Sequence, residues 1–314
     1  RLHPAKLRLI GLVAALQSLR LELSQSGIAI AFTHDNVPST LLPDLALCLF
    51  RVVQEALQNA IKYSKAREVS VHLGGSPLGL TPNTCYVGVG FFRPLDAGAR
   101  MQTSLAQAFD EHGEGLVLRG PDFEWDDVRM GTKSPHLSGE QADLLMTSAL
   151  DRYQQVMKRT PARVVVHKTS RYWPEESEGF RSAAERVTQR LDMLALGRQS
   201  RVRLLPLSKY PPLRGTRFTI GELDFLYTTG FVPALNEFHG MHVPAPLEVA
   251  DHVGQDSGRE HLLREVLILT KLNWNSSQLG GSLPITIRFS QLVGQILRET
   301  PADIDPLPQF KFYM

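Results

Sequence analysis

Apolar and polar positions along the chain follow two different patterns, which change near residue 75. In the first part, apolar positions recur every three to four residues over 7–27 and 42–64, and alternate with polar ones over 28–34 and 68–74. Spacing of three to four residues predicts amphipathic helices, and alternation predicts half-buried strands. The first part is therefore predicted to be a small α/β unit in which two helices alternate with two strands.

A stretch rich in glycine, proline and serine at residues 74–83 separates this unit from the rest of the chain. Such a composition is typical of a connection between domains. We therefore expect a first unit at residues 1–75, a linker at residues 76–84 and a second domain at residues 85–314.

The second domain mixes strand-like and helix-like patterns. They predict strands at 85–92, 113–120 and 162–170, helices at 138–158 and 175–196, short strands and turns up to about residue 242, and two final helices. Strands followed by helices that cover them favour an α/β fold with a mixed sheet.

The composition favours a globular protein. The chain has 314 residues, of which 43% are hydrophobic, and a formal net charge of +2. No apolar run approaches the roughly 18 to 20 residues of a membrane helix, so a cytoplasmic location without a membrane partner is expected. The two cysteines, Cys48 and Cys85, give neither a disulfide framework nor the spacing of a zinc site. With so small a net charge, nucleic-acid binding would have to depend on local groups of basic residues.

Residues 50–73, FRVVQEALQNAIKYSKAREVSVHL, resemble the start of the ATP-binding domain of bacterial sensor histidine kinases. Residues 2–19, LHPAKLRLIGLVAALQSL, look like the second dimerisation helix of the same family. The resemblance implies that Glu55 and Asn59 match residues that assist phosphotransfer and hold the magnesium bridging the ATP phosphates. Together with Tyr63 they recur at four-residue spacing and share one helix face. The same spacing is also that of the polar side of an ordinary amphipathic helix.

The kinase resemblance is incomplete. The phosphorylated histidine of that family lies on the helix before the matched one, so His3 is a poor phosphoacceptor candidate. Tyr86 stands at the position of the adenine-binding aspartate, and the glycine-rich lid has no counterpart. We therefore expect no kinase activity, and weak or absent ATP binding.

From about Cys85 onward, the chain resembles the PIWI domain of prokaryotic Argonaute proteins, especially forms that lack cleavage activity. The matching segments are CYVGVGFF (85–92), ARVVVHKTS (162–170), YPPLRGT (210–216), LTKLNWNSSQLGGSLPITIRF (269–289) and FKFYM (310–314). The resemblance implies a ribonuclease-H-like fold that binds a short guide strand, DNA or RNA, paired to a complementary target. The resemblance is also compatible with an effector protein as a partner.

Cleavage by this family requires two divalent metals held by carboxylates. The resemblance places three of the four metal-binding positions on Gly90, Thr169 and Gln291, none of which is acidic. The remaining position lies in a loop, for which Glu124 and Glu140 are candidates. Because glycine, threonine and glutamine at the three matched positions cannot hold two magnesium ions, we expect no cleavage and no catalytic residues.

Binding requires cations and amides rather than clustered carboxylates. The candidate nucleic-acid contacts are Lys168, Thr169, Ser170, Arg171, Arg214, Lys271, Asn273, Asn275 and Arg288. Taken one at a time, such residues are often simply solvated.

The C-terminal carboxylate of Met314 is a further candidate, because in prokaryotic relatives it lies near the guide 5′ phosphate and helps to hold a divalent ion such as magnesium. The MID domain, which supplies most of that pocket in the family, has no counterpart here, and kinase-like sequence takes its place.

Three functional hypotheses follow from the sequence. The first is guide-directed nucleic-acid binding by a cleavage-inactive PIWI-like domain. The second is ATP binding or signalling through the kinase-like unit. The third is a chimera of two partial domains that performs neither task.

Overall fold

The computed structural model describes most of the chain. The described residues are 4–24, 27–35, 37, 41, 43–63, 66–74, 80–95, 100–109, 117–125, 134–197, 201–207, 210–233, 243–254, 256–272 and 281–300. They form two compact units, Arg1–Pro77 and Leu78–Met314. Of the helices in these ranges, none has the length and apolar character that a membrane crossing requires.

The described residues of the N-terminal unit form two helices and two strands in alternation. Its elements are α1 (Pro4–Leu23), β1 (Ala29–Asp35), α2 (Pro43–Tyr63) and β2 (Glu68–Gly74). The strands pair in parallel, and α2 provides the crossover that a parallel pair needs. Helix α1 is interrupted at Gly11, whose φ of 78° lies in the left-handed region that glycine adopts without strain.

Helix α2 buries one face and exposes the other. Phe50 and Leu57 are buried and lie two turns apart, so they form one apolar stripe that packs into the core of this unit. Glu55 and Asn59 are exposed on a different face. The apolar residues whose spacing predicted this helix are thus the ones that form the core of the unit.

The C-terminal unit is an α/β structure built on one mixed sheet. Its elements are β3 (Thr84–Phe92), β4 (Arg100–Phe109), β5 (Val117–Glu124), α3 (Gly139–Met157), β6 (Arg163–Lys168), α4 (Pro174–Glu185), β7 (Leu191–Gly197), β8 (Arg217–Ile220), β9 (Leu223–Leu226), β10 (Leu247–Val253), α5 (Arg259–Leu269) and α6 (Ile285–Glu299). The strand order is β5-β4-β3-β6-β7-β10-β9-β8. Strands β3, β6 and β7 are parallel and the other pairs are antiparallel, which confirms the predicted mixed sheet.

Helices cover both faces of this sheet. Val87 on β3 and Val166 on β6 point to one face and pack with residues of α3 and α4. Their neighbours Tyr86 and Val165 point to the other face and pack with residues of α5 and α6. Because the central strands are buried on both sides, they carry uninterrupted apolar runs such as Val164–Val166 rather than an apolar residue at every second position.

That double burial explains one wrong prediction. The helix predicted over 175–196 ends at Glu185, and Leu191–Gly197 is instead the buried strand β7. An uninterrupted apolar run such as LDMLALG does not distinguish a buried strand from a buried helix. Strand β4, which alternates poorly in sequence, was not predicted, and the predicted strand at 113–120 begins at Val117 in the described part of the chain.

The beginning of α6 lies directly on β3. A Cβ atom added to Gly88 would stand 2.2 Å from the backbone oxygen of Thr286, a distance that packed atoms do not adopt. Glycine at this position therefore lets the helix approach the strand closely. This approach fixes where the polar side chains of α6 lie relative to the sheet.

Candidate nucleic-acid interface

The positions that the resemblance assigns to metal ligands lie beside one another at the carboxyl ends of two central strands. Val89 on β3 is paired with Lys168 on β6, so Gly90 and Thr169 are the next residues along these two parallel strands. Helix α6, which carries Gln291, packs against β3 and β4. The structure therefore places Gly90 and Thr169 side by side, and Gln291 on a helix that packs on the same strand.

The chemistry of these positions does not fit two divalent ions. Gly90 has no side chain, Thr169 presents a neutral hydroxyl and Gln291 presents a neutral amide. Glu124 at the end of β5 and Glu140 at the start of α3 are exposed. Within the described ranges, no three His, Cys, Asp or Glu side chains lie close enough together to hold a metal.

A buried histidine lies beneath this end of the sheet. His167 is fully buried, and its Nδ1 is 2.9 Å from the hydroxyl of Thr286 at the start of α6. Burial lowers the pKa of His167 to about 4 because the low-dielectric interior disfavours the imidazolium. The histidine is therefore neutral at pH 7 and connects β6 to α6 without adding charge.

Lys168 points to the opposite face of the sheet and is fully buried. Its ammonium forms an ion pair with Glu176 of α4 and lies 4.5 Å from the centre of the Tyr172 ring. Burial lowers the pKa of Lys168, although Glu176 opposes this shift. Lys168 therefore neutralises a carboxylate inside the protein, which removes it from the predicted phosphate contacts.

Glu176 is surrounded by donors. Its carboxylate accepts hydrogen bonds from the backbone N–H groups of Leu137 and Trp173, and lies 3.5 Å from Nδ1 of His136. Burial alone would raise the pKa of Glu176, but His136 and Lys168 together hold it below its ordinary value. The carboxylate is therefore ionised and internally compensated.

The residues that follow Lys168 differ in their accessibility. Ser170 is buried, with its hydroxyl 3.5 Å from the carbonyl oxygen of Pro135. Thr169 and Arg171 are exposed. Of the predicted cluster after β6, these two side chains remain accessible to a ligand.

A second group of predicted contacts converges at the end of α5. Arg214 donates a hydrogen bond from Nη2 to the Thr270 hydroxyl at 2.8 Å, and Lys271 is the next, exposed residue. A Cβ atom at Gly281 would lie 3.4 Å from Nη1 of Arg288 and 3.7 Å from the backbone oxygen of Thr270. Arg214 and Arg288, far apart in the sequence, thus both lie close to Thr270, and Lys271 is the next residue along the chain.

This point opens into a polar cavity of about 310 Å³, lined by Gly281, Ser282, Leu283, Arg288, Gln291, Leu292 and Gln295. Arg288, Gln291 and Gln295 lie at helical spacing and present one guanidinium and two amides along α6. Burial lowers the pKa of the nearby Arg214, but a guanidinium remains charged at pH 7. Sequence reasoning did not propose Gln295, although its position one turn after Gln291 predicts the same face.

Other predicted site residues lie elsewhere or outside the described ranges. Asn273, Asn275 and Met314 are outside them. Glu55 and Asn59, the predicted remnant of a nucleotide site, are both exposed on α2 in the N-terminal unit.

A further charged cluster lies at the opposite end of the central strands. Arg163 is fully buried and is held by Glu265 of α5 at 2.8 Å, by Asp192 of β7 at 3.2 Å and by Asp256 at 3.3 Å. The hydroxyl of Tyr86 donates to Glu265 at 2.6 Å. Burial raises the pKa of Tyr86, so the phenol keeps its proton. Tyr86 thus belongs to the core of the C-terminal unit, fixing α5 to β3 and β6.

Comparison with known proteins shows similarity at the level of structure. No protein-family model matches the sequence, and no curated protein matches it significantly. Clostridium butyricum Argonaute, solved with a guide DNA carrying a 5′ deoxycytidine and a 19-mer target DNA, aligns with 95% of this chain, with a TM-score of 0.56 and 12% identity. Aquifex aeolicus Argonaute aligns with 92% of the chain, with a TM-score of 0.52 and 16% identity.

At these identities the similarity shows the fold, which is that of Argonaute proteins. The chain spans 41% of the Clostridium butyricum protein and 42% of the Aquifex aeolicus protein. The kinase-like character of the first 75 residues stays a prediction.

Proposed function

We propose that the chain binds a short guide strand and its complementary target through an Argonaute-like domain that does not cleave. The observation that carries this proposal is the polar cavity lined by Arg288, Gln291 and Gln295 of α6, with Arg214 bonded to Thr270 close to Arg288 and the exposed Lys271 following Thr270. These residues come from separate parts of the chain, so the fold assembles the site.

The chemistry of the cavity suits a nucleic-acid backbone. A guanidinium offers several N–H donors to phosphate oxygens, and amides contribute neutral hydrogen bonds that fix the position of the backbone. Arg288 supplies the first, and Gln291 and Gln295 supply the second. Thr169 and Arg171, both exposed, extend the proposed contact surface at the end of β6.

The proposal that the domain does not cleave depends on the missing carboxylates. Two-metal cleavage requires acidic ligands to hold two metal ions, and these ions stabilise both the attacking and the leaving oxygen. Glycine, threonine and glutamine occupy the matched positions Gly90, Thr169 and Gln291. At such a site a bound duplex would stay intact.

The proposed partners are a guide strand and a target strand, the two ligands present in the solved Clostridium butyricum Argonaute. A divalent ion such as magnesium at the guide 5′ end, held partly by the carboxylate of Met314, and an effector protein also belong to the proposal. A preference for 5′-phosphorylated strands that depends on magnesium would support the proposal that a divalent ion binds at the guide 5′ end.

The test is binding of short single strands, as DNA and as RNA, with and without a 5′ phosphate, over a series of salt concentrations. Anisotropy of a 3′ label reports affinity. Arg288→Gln and Lys271→Gln each remove one cation, whereas Arg181→Gln removes a half-buried cation on α4 and serves as the control. We expect each site variant to weaken binding and to reduce the salt slope by about 0.7 per lost phosphate contact.

Equal affinities for the parent chain, both site variants and the control would overturn the proposed site. Incubation of the bound duplex with magnesium or manganese tests cleavage separately. A cut target strand would overturn the inactive assignment while leaving the binding assignment in place.

A further inference from the structure

An apolar groove of about 600 Å³ lies among residues that the proposed nucleic-acid site does not use. Its walls include Leu204, Leu205, Tyr210, Leu213 and Phe231. The rings of Tyr210 and Phe231 stack in parallel, with centroids 4.1 Å apart. The groove therefore has a rigid aromatic part and a border of leucines.

These leucines are unusually accessible to solvent. Leu205 is 75% exposed and Leu213 is 49% exposed, while the neighbouring Leu207 is fully exposed. Single exposed leucines are common, but several around one concave apolar surface are typical of an interaction site. Covering them would remove apolar area from water, which favours association.

The groove adjoins the end of the sheet. Thr216 lines the groove, and the next residue begins β8 (Arg217–Ile220), the outermost strand on this side of the described sheet. Ile220 at the other end of β8 is 52% exposed. The outer edge of a terminal strand offers backbone N–H and C=O groups to a further strand.

Basic residues lie on the same segment as the groove wall. Arg201 and Arg203 are exposed and lie three residues and one residue before Leu204. A ligand that occupies the groove would bring its flanking residues close to these guanidinium groups. Acidic flanks would be attracted, and basic flanks would be repelled.

We propose that the groove and the edge of β8 dock an extended segment of a partner protein, with apolar side chains at alternate positions and acidic residues beside them. The apolar side chains fill the groove, the backbone continues the sheet along β8, and the acidic residues face Arg201 and Arg203. A nucleic acid fits less well, because its phosphates would lose water against leucine and proline side chains.

The test is selection of binding peptides from a phage-displayed library of random linear peptides on the full chain. The affinity of synthetic versions of the selected peptides is then measured for the parent chain and for Leu213→Asp and Arg201→Glu. Both substitutions are at solvent-accessible side chains, so the fold should persist, and thermal unfolding verifies this. Leu144→Asp, at a leucine on α3 that is 56% exposed, is the matched control.

We expect the selected peptides to combine apolar and acidic residues, and to lose at least tenfold in affinity with Leu213→Asp and with Arg201→Glu. The control should bind like the parent chain. The proposal is overturned if no peptide is enriched, or if the peptides bind Leu213→Asp as well as the parent. It is also overturned if Leu205→Asp weakens binding of single-stranded DNA, which would assign the groove to nucleic acid, or if Leu213→Asp changes the oligomeric state, which would assign it to a second copy.

Discussion

Side chains that appear similar in the sequence have different roles once they are folded. Lys168 and Lys271 each follow an apolar segment, and both were candidates for phosphate contact, yet the first is fully buried and the second is exposed. The difference depends on Glu176, because a charged lysine is found in the interior only when it is paired, here with a carboxylate. Sequence predicts polar residues after a strand, but it does not predict which of them finds a partner in the interior.

Lys168→Met tests the internal role of this lysine. The substitution leaves the Glu176 carboxylate buried without its main cation, and breaking a buried ion pair from one side costs about 3–5 kcal/mol of stability. Urea unfolding at pH 7 measures the loss. Lys158→Met, at an exposed lysine after α3, should change the unfolding free energy little.

The double variant Lys168→Met with Glu176→Gln should recover part of the loss, since no unpaired charge remains. A Lys168→Met variant that unfolds like the parent chain but binds nucleic acid weakly would show that Lys168 contacts the ligand instead.

His167 makes the stability of the chain depend on pH. Its pKa is about 4 in the folded chain against 6.5 without burial, so between these values the unfolded chain binds a proton that the folded chain does not. The unfolding free energy is therefore unaffected by His167 above pH 6.5. As the pH falls from 6.5 towards 4, it decreases by about 3 kcal/mol in total because of this histidine.

His167→Gln removes this titration while keeping an amide that can hydrogen-bond to Thr286. Urea unfolding across the pH range from 6.5 to 4 should show a smaller loss of stability in His167→Gln than in the parent chain. Parallel losses in the two proteins would contradict the assignment, because the carboxylates that also titrate in acid are common to both.

Elements with clear boundary signals agree with the structure better than elements without them. The helix predicted over 138–158 is observed at Gly139–Met157, because Ser138 caps it and forms a capping box with Gln141. Strand β7 lacks such signals, and its apolar run fits a helix equally well. The cavity along α6 depends on contacts between segments far apart in sequence, such as Arg214 with Thr270. Such contacts have no local signal.

The close contact between α6 and β3 predicts that adding one methyl group at Gly88 destabilises the fold. Gly88→Ala would place a Cβ atom against the backbone of Thr286, so the helix has to move, at a cost of about 1–3 kcal/mol or more. Because α6 carries Arg288 and Gln291, we also expect weaker binding of single strands under conditions where the variant is folded.

The control is Gly258→Ala, at a glycine that caps α5 with no atom within 4 Å of the added Cβ. It should cost under about 1 kcal/mol and leave binding unchanged. Unfolding and anisotropy measured together separate the two effects. Unaltered binding by folded Gly88→Ala would mean that the position of α6 does not determine the site.

At the scale of the whole molecule, the chain forms two compact units, and the alignment with Clostridium butyricum Argonaute covers 95% of it. The fold of the larger unit could be predicted because several segments matched one family together, although each segment is weak alone. The N-terminal unit has a recognisable helix face with Glu55 and Asn59, but its described sheet contains only two strands. The next strand along the chain, β3, pairs with β4 and β6 inside the larger sheet.

This arrangement predicts the response to nucleotide. The kinase-like sequence would require its adenine-binding aspartate at Tyr86, but Tyr86 is buried in β3 and its hydroxyl donates to Glu265. Without an acceptor for the adenine amino group, Glu55 and Asn59 alone should not hold ATP. Calorimetric titration of the full chain with ATP and magnesium should therefore give no saturable heat, whereas a short single strand added to the same preparation should. Saturable ATP binding that is lost in Asn59→Ala would contradict this expectation and favour a signalling role for the N-terminal unit.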